Sequence, residues 1–420
     1  MSVIRMAVSA IILGLFILGL PVSEVRGQGA GLALRDYVAQ ILANHPALLA
    51  ARADVDAAEA RMRAAGQPLY NPELDLEYDN ALDNGARVGV TQRFNVVGKR
   101  AARKAVGAAA LKAAETRYRI LRKQLTTNLL NALARFHAAR ERRDLASRRL
   151  ALDEEFLTIA ERRWREGDIP QASLLTARLA LAEARASYSM AQLAFSEARE
   201  ALQAITGPSD LPPPPLGPAP TEQVSDLTEE EIRRLPEVAL ARAETEAAQA
   251  LWRVARKARV PDPAISFNLG RERGGLDPLG RRERTTAFGL GLSVPLPVRN
   301  SFRAEVDAAR AGTLSAERNL ANTLRLMQAR VAESIRRYRL AVEAWHGWRQ
   351  EGQVPLEEQR ELLRRLWRTG DIGVPEFILQ INQTFATEQA GIQVEEQLWT
   401  SWFGWLGTSS RVQAWLENGS

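Results

Sequence analysis

The chain repeats itself over a distance of about 200 residues, and this limits its architecture more than any other feature. Trp164-Arg165-Glu166-Gly167-Asp168-Ile169 returns 203 residues later as Trp367-Arg368-Thr369-Gly370-Asp371-Ile372. Gly89–Phe94 (GVTQRF) is answered 202 residues on by Gly291–Leu296 (GLSVPL). His45-Pro46-Ala47 through Asn71-Pro72-Glu73 is echoed about 190 residues later by Leu235-Pro236-Glu237 through Asp262-Pro263-Ala264. A period this long is not that of a solenoid. It predicts two equivalent halves of one body, each built as helix, hairpin, long helix, turn, helix.

The hydrophobic period defines those elements. Residues 34–65 are alanine-rich with apolar positions at helical spacing, and the pattern predicts one helix ending at Gly66 and Pro68. After Asn71-Pro72 the period falls to two. Leu74, Leu76 and Tyr78 alternate with Asp75, Glu77 and Asp79, and Val88, Val90, Gln92 and Phe94 alternate with Gly89, Thr91, Arg93 and Asn95. The turn region 80–86 between them makes a hairpin with one apolar and one polar face. The second half repeats it with Ile265, Phe267 and Leu269, a charged loop expected over 271–284, and then Phe288, Leu290, Leu292 and Val294. Between Lys99 and Glu166 there is no proline and only Gly107, which predicts a rod of about 100 Å at 1.5 Å per residue. Its counterpart, 301–369, carries Gly347, Gly352 and Pro355, so a kink or break is expected there. Helices are expected again over 173–205 and from 376 to about 406.

The predicted layout is a signal peptide over 1–27, a first repeat over 28–206, a proline-rich linker over 207–220, a second repeat over 221–406 and a C-terminal tail over 407–420. The signal reading rests on Arg5, the 14-residue apolar run Ala7–Leu20 and Pro21. That run is shorter than the ~20 residues needed to span hydrocarbon as a helix. No later stretch is long enough, so an exported chain of this kind enters a membrane only as a β-barrel. The absence of cysteine excludes disulfides, thiolate metal sites and an acylated cysteine anchor. The net charge of +6 comes from arginines interspersed with acids along helices, a solvated surface and not a nucleic-acid footprint. His45, His137 and His346 are too scattered for a metal cluster, and no nucleotide or catalytic motif survives inspection, so no cofactor and no enzymatic activity are expected.

Each strand has about the length that a tilted transmembrane strand needs, yet four strands cannot close a barrel alone. Asn71-Pro72-Glu73-Leu74, the run Gly89–Phe94, Gly98-Lys99-Arg100 opening a long helix, and Gly291–Pro297 leading to Arg299-Asn300 resemble the TolC family of outer-membrane efflux channels. Within that family they are most similar to the CzcC-type branch associated with heavy-metal export. The resemblance implies a mainly α chain whose helices form a long periplasmic tunnel, with four strands given to a twelve-stranded barrel shared by a homotrimer. It implies an exit duct embedded in outer-membrane lipid, with a periplasmic adaptor and an inner-membrane pump as partners. Asp75, Glu77, Asp79 and Arg93 would line the pore. Gly167, Asp168, Ile169, Gly370, Asp371 and Ile372 would form the adaptor-docking tips, and Trp164 and Trp367 fall near the family's gate. The family's gating tyrosine and arginine are replaced here by Trp367 and Ile372. The competing reading is a periplasmic coiled-coil adaptor. That would need a lipoyl-like or β-barrel domain between the helical arms, where the sequence offers only short hairpins.

Overall fold

The computed structural model describes residues 26–79, 85–208, 211–276, 282–369 and 371–418. The apolar run expected as a signal lies outside them. The first half runs α1 (Arg26–Ala43), α2 (Pro46–Ala65), β1 (Glu73–Asp79), β2 (Gly85–Arg93), α3 (Lys99–Arg165) and α4 (Gln171–Thr206). After a short α5 (Glu229–Arg233), the second half runs α6 (Pro236–Ala258), β3 (Ala264–Leu276), β4 (Arg282–Ser293), α7 (Arg303–Gly347), a π-helical stretch (Trp348–Gln353), α8 (Val354–Thr369), α9 (Val374–Thr408) and α10 (Val412–Asn418).

Most expected elements are present, and the departures have local causes. The helix expected over 34–65 is two helices. Pro46 disfavours helical geometry at the residue before it, and His45 takes φ −69°, ψ 120°. Its Nδ1 then accepts the Ala47 N–H at 3.2 Å, which caps α2. The charged loop expected over 271–284 is largely strand, since β3 continues to Leu276 and β4 starts at Arg282, with a bulge between Arg273 and Leu276. Side-chain polarity ends the apolar band there, but the backbone ladder continues because it is indifferent to side chains. The C-terminal segment includes α10, which turns back through Ser410 at φ 59° and buries Val412 and Leu416.

The 67-residue α3 is unbroken. Its one interior glycine marks a close crossing: a Cβ on Gly107 would lie 2.8 Å from the Met62 Cα of α2. Buried alanines on α3, α4 and α6, among them Ala134, Ala160, Ala177, Ala184 and Ala243, let the rods approach closely. The second rod gives way where Gly347, Gly352 and Pro355 cluster, and the break takes the form of the π-helical stretch. Trp348 of that stretch lies over Gly391 of α9, where a Cβ would fall inside the indole.

Two hydrophobic cores result. The larger gathers α1, α3, α7 and α9 around Tyr338, Trp402, Trp405, Phe403 and Leu129. The linker is strapped across both halves: Pro214 O lies 2.8 Å from His137 Nε2 on α3, while the Tyr338 hydroxyl of α7 donates to Glu222 O at 3.0 Å. The smaller core lies at the α3–α4 and α8–α9 turns. Among the described residues, no helix is long and apolar enough to cross a membrane.

Candidate functional site

The four strands form one antiparallel sheet in chain order, β1-β2-β3-β4. Register carries the alternation of each strand across the whole sheet. Leu74, Val90, Phe267 and Leu290 form one row, and Leu76, Val88, Leu269 and Phe288 the next. These side chains face outward with nothing packed on them. Leu76 is 73% exposed, and Phe288 and Leu290 are each 80% exposed. A contiguous apolar face of this size is not left to water in a stable soluble protein.

The opposite face is polar and made of small residues. Asp75 accepts a hydrogen bond from the Thr91 hydroxyl at 2.9 Å, and Glu77 meets Arg87 at 3.4 Å. Asn268 extends over Gly89 and Ser266 over Gly291, so a side chain at either glycine would collide with them. Asp79 belongs to β1 opposite Gly85. Arg93 stands at the helix-proximal end of β2 with its guanidinium 5.1 Å from the Tyr70 ring centre. The polar face is therefore less acidic than its spacing suggests, because Arg87 offsets Glu77. The sequence reading passed over Arg87, at the edge of the turn region. The β1–β2 register, which sets it opposite Glu77, is the signal that identifies it.

The strands are anchored to the rods by a buried polar cluster. Asp262, before β3, accepts from Lys99 Nζ at 2.9 Å and from the Tyr70 hydroxyl at 2.8 Å, tying the start of α3 to both halves.

At the far end of α3 the two Gly-Asp-Ile turns come together. The first is a Schellman turn: Gly167 takes φ 82°, its N–H bonds to Trp164 O at 3.1 Å, and the Asp168 N–H bonds to Arg163 O at 2.9 Å. The second has the equivalent Asp371 N–H to Leu366 O bond at 3.0 Å. Gly370 lies outside the described residues. The isoleucines turn inward: Ile372 is buried, and the half-buried Ile169 packs on the same core of Phe156, Leu174, Leu363 and Phe377. Asp168 and Asp371 are exposed. Trp367 packs against Phe156 (4.7 Å) and Phe377 (4.8 Å), which stack on each other, with Arg163 over its ring, whereas Trp164 is 43% exposed. The structure thus assigns the two tryptophans of the repeat different environments. Among the described residues, no group of three or more His, Cys, Asp or Glu is placed to hold a metal ion.

A family described as outer membrane efflux protein matches residues 37–208 and 227–402, one segment for each repeat. The nickel-cobalt-cadmium resistance protein NccC of Alcaligenes xylosoxydans xylosoxydans is 30% identical over 299 residues, a match covering 68% of this chain and 65% of that protein. In solved structures the fold resembles CusC, described for its transmembrane channel formation, with a TM-score of 0.73 at 16% identity over 90% of this chain and 91% of that one. It also resembles the Campylobacter jejuni CmeC outer membrane channel, with a TM-score of 0.71 at 16% identity over 93% and 90%.

Proposed function

The chain belongs to the outer membrane efflux protein family, and on that premise we propose that it is the outer-membrane exit duct of a tripartite efflux system. The observation that carries this reading is the sheet. It pairs a fully exposed apolar face with a polar face of small residues and stands at the end of a rod of about 100 Å. Against lipid the apolar face needs no cover, and the polar face then bounds water.

Several copies must share the barrel. Two would supply eight strands, whose interior is filled by side chains. Three supply twelve and leave an aqueous path, in accord with the homotrimer that the family resemblance implies. Asp75, Glu77 and Asp79, repeated by symmetry, raise the local concentration of cations at that path. The name of NccC supports nickel, cobalt and cadmium ions as cargo. At the other end, the exposed Asp168 and Asp371, with the turn at Gly167, present the docking surface for a periplasmic adaptor linked to an inner-membrane pump, and the repeat in sequence assigns Gly370 to the same role. Ile169 and Ile372 hold that surface from beneath. Trp164 is the exposed aromatic available to narrow the path there, and Trp367 supports it from inside.

The test is the native mass of the protein purified in detergent from an outer-membrane fraction. A trimer that depends on detergent is expected. A monomer recovered from the soluble periplasm overturns the duct.

A further inference from the structure

The unpartnered edges of the sheet carry an inference that rests on the duct reading above. Among the described residues β1 and β4 bound the sheet, and each presents a row of backbone N–H and C=O groups with no strand beside it. In lipid every such group has to find a partner. Within the chain the two repeats already meet once, where β2 of the first pairs with β3 of the second.

The repeat relation dictates how they meet a second time. Entry segments correspond at a spacing of 191 (Asn71-Pro72 with Asp262-Pro263) and exit segments at 202 (Gly89 with Gly291). The hairpin registers agree with the sum of the two spacings, while each spacing separately rests on its own sequence match. Leu76 opposite Val88 in the first hairpin maps onto Phe267 opposite Leu290, which is the register found in the second. Helix α3 starts behind a left-handed cap at Gly98 (φ 66°, ψ 38°), and α7 starts behind one at Phe302 (φ 55°, ψ 26°), so the two rods open alike, although the caps are offset by two residues from the strand spacing. Carrying the internal seam (Gln92–Ile265, Val90–Phe267, Val88–Leu269) through the same spacings gives the external one.

In a shared barrel β4 of one copy adjoins β1 of the next, and we propose the register of that antiparallel seam: Val294 opposite Leu74 of the partner subunit, Leu292 opposite the partner's Leu76 and Leu290 opposite the partner's Tyr78. The pairs it makes are physically consistent on both faces of the sheet. All three pairs lie on the apolar face, so the seam continues that face without a step. On the polar face, Ser293 meets the partner's Asp75. Gly291 meets the partner's Glu77 as Gly89 meets Asn268 inside the chain, a small residue leaving room for a polar side chain that crosses the seam. A slip of one residue would turn the apolar side chains of β1 to the wrong face. The competing registers are therefore shifts of two.

The chain has no cysteine, so paired substitutions report the seam directly. Residues directly opposite have Cβ atoms about 4.5–5.5 Å apart and diagonal ones about 7–8 Å, and only the former are within reach of a disulfide. Within one chain β1 and β4 are three strand spacings apart, about 14 Å, so any bond that forms joins two copies. The experiment oxidises detergent-purified Leu292→Cys combined in turn with Leu74→Cys, Leu76→Cys and Tyr78→Cys. Leu290→Cys with Tyr78→Cys and Val294→Cys with Leu74→Cys serve as second probes of the same register, and native mass is measured on every sample. The expected result is a covalent ladder ending at three chains for 292/76, 290/78 and 294/74, and none for 292/74 or 292/78. Cross-linking of 292/74 or 292/78 from trimers of unchanged mass overturns the register while leaving the duct standing. Absence of any cross-link in such trimers overturns the β4–β1 seam. Wild-type protein that is monomeric in detergent overturns the duct reading and the seam with it.

Discussion

Asp153 is a carboxylate that the fold buries against its own interest, and replacing it by asparagine should stabilise the protein at neutral pH. The residue is 2% exposed on α3. Its natural partner, Arg149, is one helical turn away, but that guanidinium donates to Glu183 of α4 and Asn382 of α9, each at 2.9 Å. Asp153 is left with Arg149 Nε at 3.7 Å, and its Oδ2 has no hydrogen-bond partner. Burial therefore outweighs the attraction of Arg149, Glu183 adds repulsion, and the carboxyl is pushed up to about 6 from an ordinary 3.8. At about 1.4 kcal/mol per pH unit, that lift amounts to about 3 kcal/mol of destabilisation once the group is ionised.

The sign follows from proton linkage. The folded chain holds this proton more tightly than the unfolded one does, so the contribution of Asp153 is least unfavourable below pH about 4. It worsens as pH rises toward about 6 and is constant above. Asp153→Asn keeps the shape and removes the ionisation. Urea unfolding followed by tryptophan fluorescence should show the variant more stable than wild type by about 3 kcal/mol at pH 8, converging on wild type near pH 4. A variant less stable at pH 8, or a difference that does not change with pH, would refute the argument that desolvation governs this group.

Two further outcomes follow from the sites. Trp367→Ala removes a half-buried ring packed against the stacked Phe156–Phe377 pair and should lower stability by about 1–3 kcal/mol. Trp164→Ala removes an exposed ring and should stay within about 0.5 kcal/mol of wild type while raising single-channel conductance in planar bilayers. Equal losses of stability from the two would contradict the different environments of the repeated tryptophans. In planar bilayers under a salt gradient, Asp75→Asn should bring the reversal potential closer to zero by removing a charge that only a hydroxyl meets. Glu77→Gln should move it in the same direction by removing the carboxylate that offsets Arg87. Unchanged reversal potentials in both variants would remove the polar face from the conduction path.

The sequence by itself determined whatever depends on period and on repetition. The alternation of Leu74, Leu76 and Tyr78 marks a two-faced strand because successive strand side chains point to opposite faces wherever the strand is placed. The run free of proline from Lys99 to Glu166 specifies a rod because nothing in it interrupts the backbone hydrogen bonds. Gly347, Gly352 and Pro355 mark the break in its counterpart for the converse reason. The two correspondences between the halves make the two hairpin registers equivalent, although the register itself is set by the strands as they pair. What tertiary structure decided was the environment of individual side chains, which depends on neighbours far along the chain. Trp164 and Trp367 occupy the same place in the repeat, yet one is exposed and the other packs on two phenylalanines, because α9 brings Phe377 against only one of them. Asp153 reads as one more acid on an arginine-rich rod until α4 and α9 draw Arg149 away from it. Local pattern fixes which way a side chain points. Only the assembled helices fix what it meets, and charge and packing energies are set there.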